Sequence, residues 1–373
     1  MDEWGPEKIV CVHDTRTGMR GVLVIDNTSR GMGKGGTRMS SSVTVAETAR
    51  LARVMTWKWA GVDLFFGGAK AGIRCDPSAS NREEVLRTWA RCLSNEIPSE
   101  YVVGLDMGLT EVDAAIVQDE LRDRGAAVGS PHELGGVPYD ELGVTGFGVA
   151  EAADAAADVI GLDLNGARVV IQGFGAVGHA AAQRLSDYGA IIVAVSTVEG
   201  VIHNPDGLDV KTLLDARAEY GEALISHIED GKRLEAGSEL LLSTDVLVPA
   251  ACQDVIDEAT AQEIDARLIV EGANLPTSSA AQEILRLRGI PVVPDFIANA
   301  GGVVAAGFAM DARYSAFRPD AEEIFTTIAE KLRTNTQLVL EQAAAREISP
   351  HAAALGVAQG RVRTAMELKR RIG

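Results

Sequence analysis

The sequence has few cysteines, few aromatic residues and no apolar run long enough to span a membrane. Its four cysteines, Cys11, Cys75, Cys92 and Cys252, form no CxxC pair, and their spacing predicts neither a disulfide framework nor a metal site. Scattered thiols in a large chain are typical of a reducing compartment. The acidic first residues lack the apolar core of a signal peptide. We therefore expect a cytoplasmic protein that does not enter a membrane.

Positive charge is also scarce. The chain has 35 lysines and arginines against 53 aspartates and glutamates, a formal net charge of −18. Such a surface repels phosphate backbones and anionic lipids, so neither nucleic acid nor a membrane is an expected partner. An anionic small molecule would need a local cluster of cations in order to bind.

Glycine, in contrast, is abundant. The 39 glycines favour an α/β protein with tight strand–helix junctions, and 373 residues favour two domains. Glycine and proline cluster in residues 135–148, so we place the boundary near Asp140. We predict one domain over residues 1–140 and a second over residues 141–340, with residues 341–373 packing back on the first domain.

Apolar periodicity predicts the elements of the first domain. They are strands at Lys8–His13 and residues 21–26, a glycine-rich loop at residues 30–36, and helices at residues 43–60, 83–95 and 110–124, the last with Thr110 as N-cap.

In the second domain, short buried apolar runs alternate with helical segments after a helix at residues 150–160. This alternation predicts a sheet rich in parallel strands. The predicted strands are Arg168–Gln172 and residues 191–195, 246–248, 268–270 and 291–293. Residues 320–369 are predicted to be helical apart from a break at residues 349–350.

The first of these strands leads into a GxGxxG motif and then a helix. Gly173 would make the tight turn, Gly175 would let the backbone approach a pyrophosphate, and Gly178 would let strand and helix pack closely. The alternative is a structural glycine turn, but the strand–turn–helix context favours a dinucleotide. The motif's other residues, Phe174, Ala176 and Val177, are included in the predicted cofactor site.

The strand after the motif has no acid at the position expected to hold the cofactor's adenosine ribose. Thr197 occupies its expected place, Glu199 comes two residues late, and no arginine stands nearby to accept a 2′-phosphate, so the choice between NAD and NADP stays open. Small and polar residues, Ala250, Asn274 and Asn299, follow later strand ends. They are candidates for contact with the cofactor, although they would also suit helix caps and turns.

Three lysines of the first domain, Lys34, Lys58 and Lys70, lie in glycine-rich or apolar surroundings. Lys70 follows an apolar run and is bracketed by glycines, which suits a partly desolvated lysine for proton transfer; a solvated turn is the alternative. Asp106 is also set among apolar residues and glycines, and a buried carboxylate needs a cationic partner.

Several motifs, in this order along nearly the whole chain, resemble the glutamate/leucine/phenylalanine/valine dehydrogenase family. They are GGTRM at residues 35–39, MTWK at 55–58, GGAK at 67–70, Asp106, TGFGV at 145–149, the GxGxxG motif, EGAN at 271–274 and NAGGV at 299–303. The resemblance implies an α/β fold with an N-terminal substrate and oligomerisation domain, a Rossmann-type cofactor domain and a cleft between them. It also implies NAD(P)-dependent oxidative deamination of an L-amino acid to a 2-oxo acid and ammonia, and a homo-oligomer, with a hexamer favoured.

The resemblance also implies roles for individual residues. Lys58 would bind the substrate α-carboxylate, Lys70 would polarise the carbonyl and activate water, and Asp106 would exchange protons with the substrate nitrogen. Thr145 and Asn274 would lie near the nicotinamide. Two cations suit an anionic amino acid in an acidic protein.

The residues that would contact the substrate side chain favour different substrates. Lys34 stands where the glutamate enzymes of the family place a lysine, which favours glutamate or a similar polar or acidic side chain. Ala306 replaces the serine common in those enzymes, and Gly104 replaces a usual alanine. A branched or aromatic amino acid, or an unusual one, is the alternative.

Two functions of other classes are the alternatives. A hydroxy-acid dehydrogenase would need a catalytic histidine or Tyr–Lys pair, and none of the six histidines lies in a convincing site. A non-catalytic nucleotide-binding sensor would be expected to have lost Lys70 or Asp106, and both are present.

Overall fold

The computed structural model describes residues 2–137 and 142–372. The chain divides into two compact units. The first comprises Met1–Tyr139, Val303–Ile324 and Val357–Gly373, and the second comprises Asp140–Gly302 and Phe325–Gly356. The predicted boundary at Asp140 lies outside the described residues, and the predicted domain limits remain predictions.

The first unit is built on a five-stranded mixed sheet in the order β1-β2-β4-β3-β5. β3 pairs in parallel with β4 and β5, while the other neighbours are antiparallel. The elements are β1 (Lys8–His13), β2 (Arg20–Asn27), β3 (Gly33–Met39), α1 (Val45–Gly61), β4 (Gly67–Ile73), α2 (Arg82–Cys92), β5 (Tyr101–Leu105) and α3 (Glu111–Leu121). The predicted N-cap is confirmed, because Asp113 Oδ2 accepts a hydrogen bond from Thr110 N in a capping box.

One part of the sequence prediction for this unit was wrong. The glycine-rich segment expected to be a loop forms β3 from Gly33 onward, and β4 and β5 were not predicted. The glycines are needed because the strands and α1 pack very closely. A Cβ on Gly35 would lie 1.8 Å from Ala69 O, and a Cβ on Gly68 would lie 2.0 Å from Thr56 Oγ1 of α1.

The second unit is built on a seven-stranded sheet in the order β12-β11-β10-β6-β7-β8-β9. Its strands are parallel from β12 to β7, as predicted, but the antiparallel β8 and β9 were missed. The elements are α4 (Val144–Ile160), β6 (Arg168–Gln172), α5 (Ala176–Asp187), β7 (Ile191–Thr197), β8 (Gly200–His203), α6 (Val210–Tyr220), β9 (Lys232–Leu234), β10 (Thr244–Pro249), α7 (Glu258–Glu263), β11 (Ala266–Val270), α8 (Ser279–Leu287), β12 (Val292–Val293) and α9 (Asp295–Ala298).

The helix expected to begin at residue 150 begins instead at Val144. Its glycines before residue 150 predicted an interruption ahead of the helix. In the structure they lie inside the helix and allow it to pack closely against a neighbour. A Cβ on Gly146 would lie 2.2 Å from Val177 O in α5, so α4 and α5 approach closely only because residue 146 is glycine.

The last part of the chain is helical, as predicted, in α10 (Gly301–Ala312), α11 (Ala321–Arg346) and α12 (Pro350–Leu368). Within the first unit, Val362 and Met366 of α12 form an apolar cluster with Trp4 and Ala60. Arg361 Nη1 donates to Ala60 O at 2.8 Å. No helix in residues 2–137 and 142–372 combines the length and apolarity needed to cross a bilayer.

Candidate active site

The four charged side chains of the candidate site lie on one face of the first unit's sheet. Side chains alternate between faces along a strand, so Lys34, Gly36 and Arg38 of β3 share a face. Lys34 lies opposite Gly68, and Gly36 lies opposite Gly104. Two residues beyond each of those glycines come Lys70 and Asp106. The sheet thus gathers, on one face, side chains that are far apart in the chain: Lys34, Arg38, Lys70 and Asp106.

Lys70 and Asp106 form an ion pair, with Lys70 Nζ 2.5 Å from Asp106 Oδ2. Lys70 is 8% exposed. Arg38 Nε lies 3.3 Å from the same oxygen, while Arg38 Nη1 pairs with Glu47 at 2.7 Å. Burial by itself would raise the pKa of Asp106, but Lys70 and then Arg38 hold that pKa below its usual range. The carboxylate is therefore ionised and in contact with a proton donor.

Gly36 leaves space beside this pair. A Cβ at residue 36 would lie 2.8 Å from Asp106 Cβ and 3.2 Å from Lys70 Nζ. Any larger residue at position 36 would force its neighbours, Asp106 among them, to shift.

Lys34 is buried, at 3% exposed, and its Nζ donates to Val102 O at 3.3 Å. Gly104 makes room for it, because a Cβ there would lie 2.5 Å from Nζ. Burial, followed by the charges of Lys70 and Arg313, lowers the pKa of Lys34 to about 7. Among the described residues no carboxylate forms an ion pair with Lys34, so its ammonium suits an anionic ligand.

Two further substrate-binding candidates lie in helices of the first unit. Lys58 is half-buried in the last turn of α1. Ala306 is half-buried in α10, which ends at Ala312, one residue before Arg313. Their roles remain predictions.

In the second unit, the GxGxxG motif joins β6 to α5, as predicted. Gly173 has a φ of 84° and donates from its N–H to Ser196 Oγ at 3.0 Å. No atom lies within 4 Å of a Cβ built on Gly175, so this backbone is open to a ligand. A Cβ on Gly178 would lie 1.9 Å from Gly173 O. With the first amides of α5, starting at Ala176, this turn fits a pyrophosphate.

Two residues of the predicted cofactor site use their side chains within the protein. Phe174 is fully buried in the core, so only its backbone is available. Thr197 Oγ1 donates to Glu222 O at 2.8 Å and accepts from Glu199 N at 3.2 Å. Glu199 itself is exposed at the tip of β7.

The remaining cofactor candidates lie at later strand ends or at the start of α4. Asn299 is 4% exposed, and its Nδ2 donates to Asn274 Oδ1 at 3.0 Å. Asn274 is exposed. Ala250 Cβ lies 2.9 Å from the Cβ position of Gly272. Thr145 lies in the first turn of α4. The structure thus brings Asn274 and Asn299 into contact, and their roles remain predictions.

Sequence reasoning assigned no role to Arg38 or Arg313. Arg38 had a usable signal, since it stands two residues after Gly36 and so on the same strand face. Arg313 had none, because its effect on Lys34 depends on tertiary packing.

Two family models match the chain. Residues 135–370 match the model "Glutamate/Leucine/Phenylalanine/Valine dehydrogenase", and residues 6–123 match "Glu/Leu/Phe/Val dehydrogenase, dimerisation domain". The chain belongs to this family. It is therefore an amino-acid dehydrogenase that uses NAD or NADP, and the resemblance found in its motifs is confirmed.

Similar proteins are named as glutamate dehydrogenases. One from Thermotoga maritima is 38% identical over 324 residues, covering 84% of this chain and 77% of that protein. Glutamate dehydrogenase A2 from Halobacterium salinarum is 38% identical over 318 residues, covering 82% and 75%. The solved hetero-hexameric glutamate dehydrogenase from Thermus thermophilus, in a Leu-bound form, is 32% identical with a TM-score of 0.84, covering 98% and 90%.

Proposed function

We propose that this dehydrogenase oxidatively deaminates L-glutamate to 2-oxoglutarate and ammonia, and catalyses the reverse reaction. The observation that carries the proposal is Lys34, a buried cation without a carboxylate partner among the described residues. A substrate side-chain carboxylate would supply the missing counter-charge, whereas an apolar side chain would leave the ammonium unpaired. The glutamate dehydrogenases among its relatives support the same substrate.

We assign the chemistry to the Lys70–Asp106 pair. Lys58 would hold the substrate α-carboxylate. NAD(P), when bound, would accept the hydride that leaves the substrate Cα. Lys70 would then orient and activate the water that attacks the imino carbon, and Asp106 would carry the proton exchanged with the substrate nitrogen. The 2.5 Å contact between the two side chains supports proton movement between them.

The substrate assignment is tested by ammonia-dependent oxidation of NADH and of NADPH with 2-oxoglutarate, 2-oxoisocaproate and phenylpyruvate. We expect kcat/KM to be at least about tenfold higher for 2-oxoglutarate than for the other two oxo acids. They lack the side-chain carboxylate that would form a charge-assisted hydrogen bond with Lys34. A preference for either apolar oxo acid would instead support the branched-chain or aromatic alternative. No turnover with any oxo acid would support a sensor.

We also propose a cytoplasmic homo-oligomer, with a hexamer favoured. The match to a dimerisation domain supports oligomerisation, as does β1, an edge strand with Ile9 and Cys11 exposed. Light scattering at micromolar concentration should give about six times the chain mass of 39.3 kDa. A monomer under those conditions would contradict the proposal.

A further inference from the structure

The segment that follows β11 in the second unit, residues 271–275, is held in a defined shape; we call it the Asn274 loop. Gly272 N and Ala273 N both donate to Pro249 O, at 3.0 and 2.9 Å. Leu275 has a φ of 51°, which a leucine adopts only when its surroundings impose it. Asn274 itself is exposed on the loop.

Three buried side chains impose this shape. Asp295 Oδ2 accepts from Leu275 N at 2.8 Å, and Glu271 Oε2 accepts from Asp295 N at 2.8 Å. Asn299 Nδ2 donates to Asn274 Oδ1 and to the loop carbonyls of residues 272 and 273. The two acids are therefore linked to each other and, through Asp295, to the backbone next to Asn274.

The two acids are nearly fully buried, at 1% exposed for Glu271 and 3% for Asp295, and no lysine or arginine among the described residues forms an ion pair with either of them. Burial and then the charge of Asp295 raise the pKa of Glu271 to about 8. The other titratable group nearby is His351 of α12. Burial lowers the pKa of His351, although the charge of Asp295 acts in the opposite direction. His351 therefore supplies no fixed positive charge.

Glu271 Oε1 and Thr277 Oγ1 are both buried without a hydrogen-bond partner within bonding distance. The nearby Thr277 hydroxyl can donate to the carboxylate, and this lowers the pKa of Glu271. Burial and the charge of Asp295 act in the opposite direction and outweigh it, so the neutral carboxyl is favoured below about pH 8.

We propose that Glu271 is a positioning residue for the cofactor: its buried carboxyl, hydrogen-bonded to the backbone of Asp295, holds the Asn274 loop in the shape that places Asn274 at the nicotinamide. The inference takes only the assignment of Asn274 to the nicotinamide from the family resemblance, and it does not depend on which amino acid is the substrate. Loss of the proton puts two like charges in one apolar site, and their repulsion loosens the loop. Cofactor affinity should therefore fall as pH rises through about 8.

The test is fluorescence titration of the full chain with NADH and with NADPH, without amino acid or oxo acid, from pH 6.5 to 9.5. For the parent we expect the dissociation constant to be about tenfold higher at pH 9 than at pH 7. Glu271→Gln, which stays neutral, should show little rise. Glu283→Gln, an exposed glutamate of α8 paired with Arg286, is the matched control and should behave as the parent does.

Asp295→Asn keeps the proposal testable if Glu271→Gln does not fold. Its side-chain oxygen still accepts from Leu275 N, but an ionised Glu271 then meets a neutral amide, so the rise of the dissociation constant with pH should shrink.

With saturating cofactor, kcat of each variant should stay near the parent value, and the change should be seen in KM for the cofactor. A parent without a rise, or variants that keep the full rise, would overturn the inference. Because no amino acid or oxo acid enters the titration, its failure is distinct from failure of the glutamate assignment.

Discussion

Replacing Lys70 by alanine is expected to lower kcat by about 10²–10⁴-fold, the usual loss when a positioned proton-transfer group is removed. Lys70 Nζ contacts Asp106 Oδ2, so the change removes both the group that would activate water and the partner of the half-buried carboxylate. The dissociation constant for NADH or NADPH should stay near the parent value, since the GxGxxG turn predicted to bind the cofactor belongs to the second unit. Steady-state kinetics and cofactor titration measure the two quantities separately.

Lys8→Ala is the matched control for this variant. Lys8 is a lysine of the same sheet, but its pairs with Glu96 and Glu100 are partly exposed, and such pairs contribute little to stability. We expect its turnover to equal that of the parent. Parent-like turnover in Lys70→Ala would remove Lys70 from the mechanism.

Replacing Lys34 by leucine is expected to shift substrate preference from 2-oxoglutarate toward 2-oxoisocaproate. A charge-assisted hydrogen bond to the substrate carboxylate contributes roughly 1.5–3 kcal/mol. The ratio of the two kcat/KM values should therefore change by about tenfold to a hundredfold.

The pH dependence gives a second measurement on the same pair of proteins. The pKa of Lys34 is lowered to about 7, so the ligand-free protein loses this charge as pH rises through 7. Binding a carboxylate favours the charged form, so affinity for 2-oxoglutarate should fall above pH 7 in the parent but not in Lys34→Leu. If the substrate ratio and the pH profile are both unchanged in the variant, Lys34 does not select the substrate.

The sequence predicted the structure best at positions where the backbone conformation restricts which residue type can stand there. The GxGxxG turn was located correctly because Gly173 needs a positive φ and Gly178 needs close packing, and both needs are visible in the residue type. Local pattern failed at β3 and at the start of α4, where glycines serve close packing between elements instead of turns. A glycine required by a neighbour that is distant in the chain looks the same, in sequence, as one required by a turn.

The sequence by itself determined the α/β class, the parallel sheet around the GxGxxG turn, the family and the residue types available for chemistry. Only the tertiary structure decided which of them meet. Lys70 touches Asp106 and Lys34 lies against Gly104 because β3, β4 and β5 are neighbours in one sheet, an order that is not their order along the chain. The burial that lowers the pKa of Lys34 and raises that of Glu271 likewise comes from elements packed around them. Desolvation depends on everything that surrounds a group in space, and residue spacing along the chain does not record it.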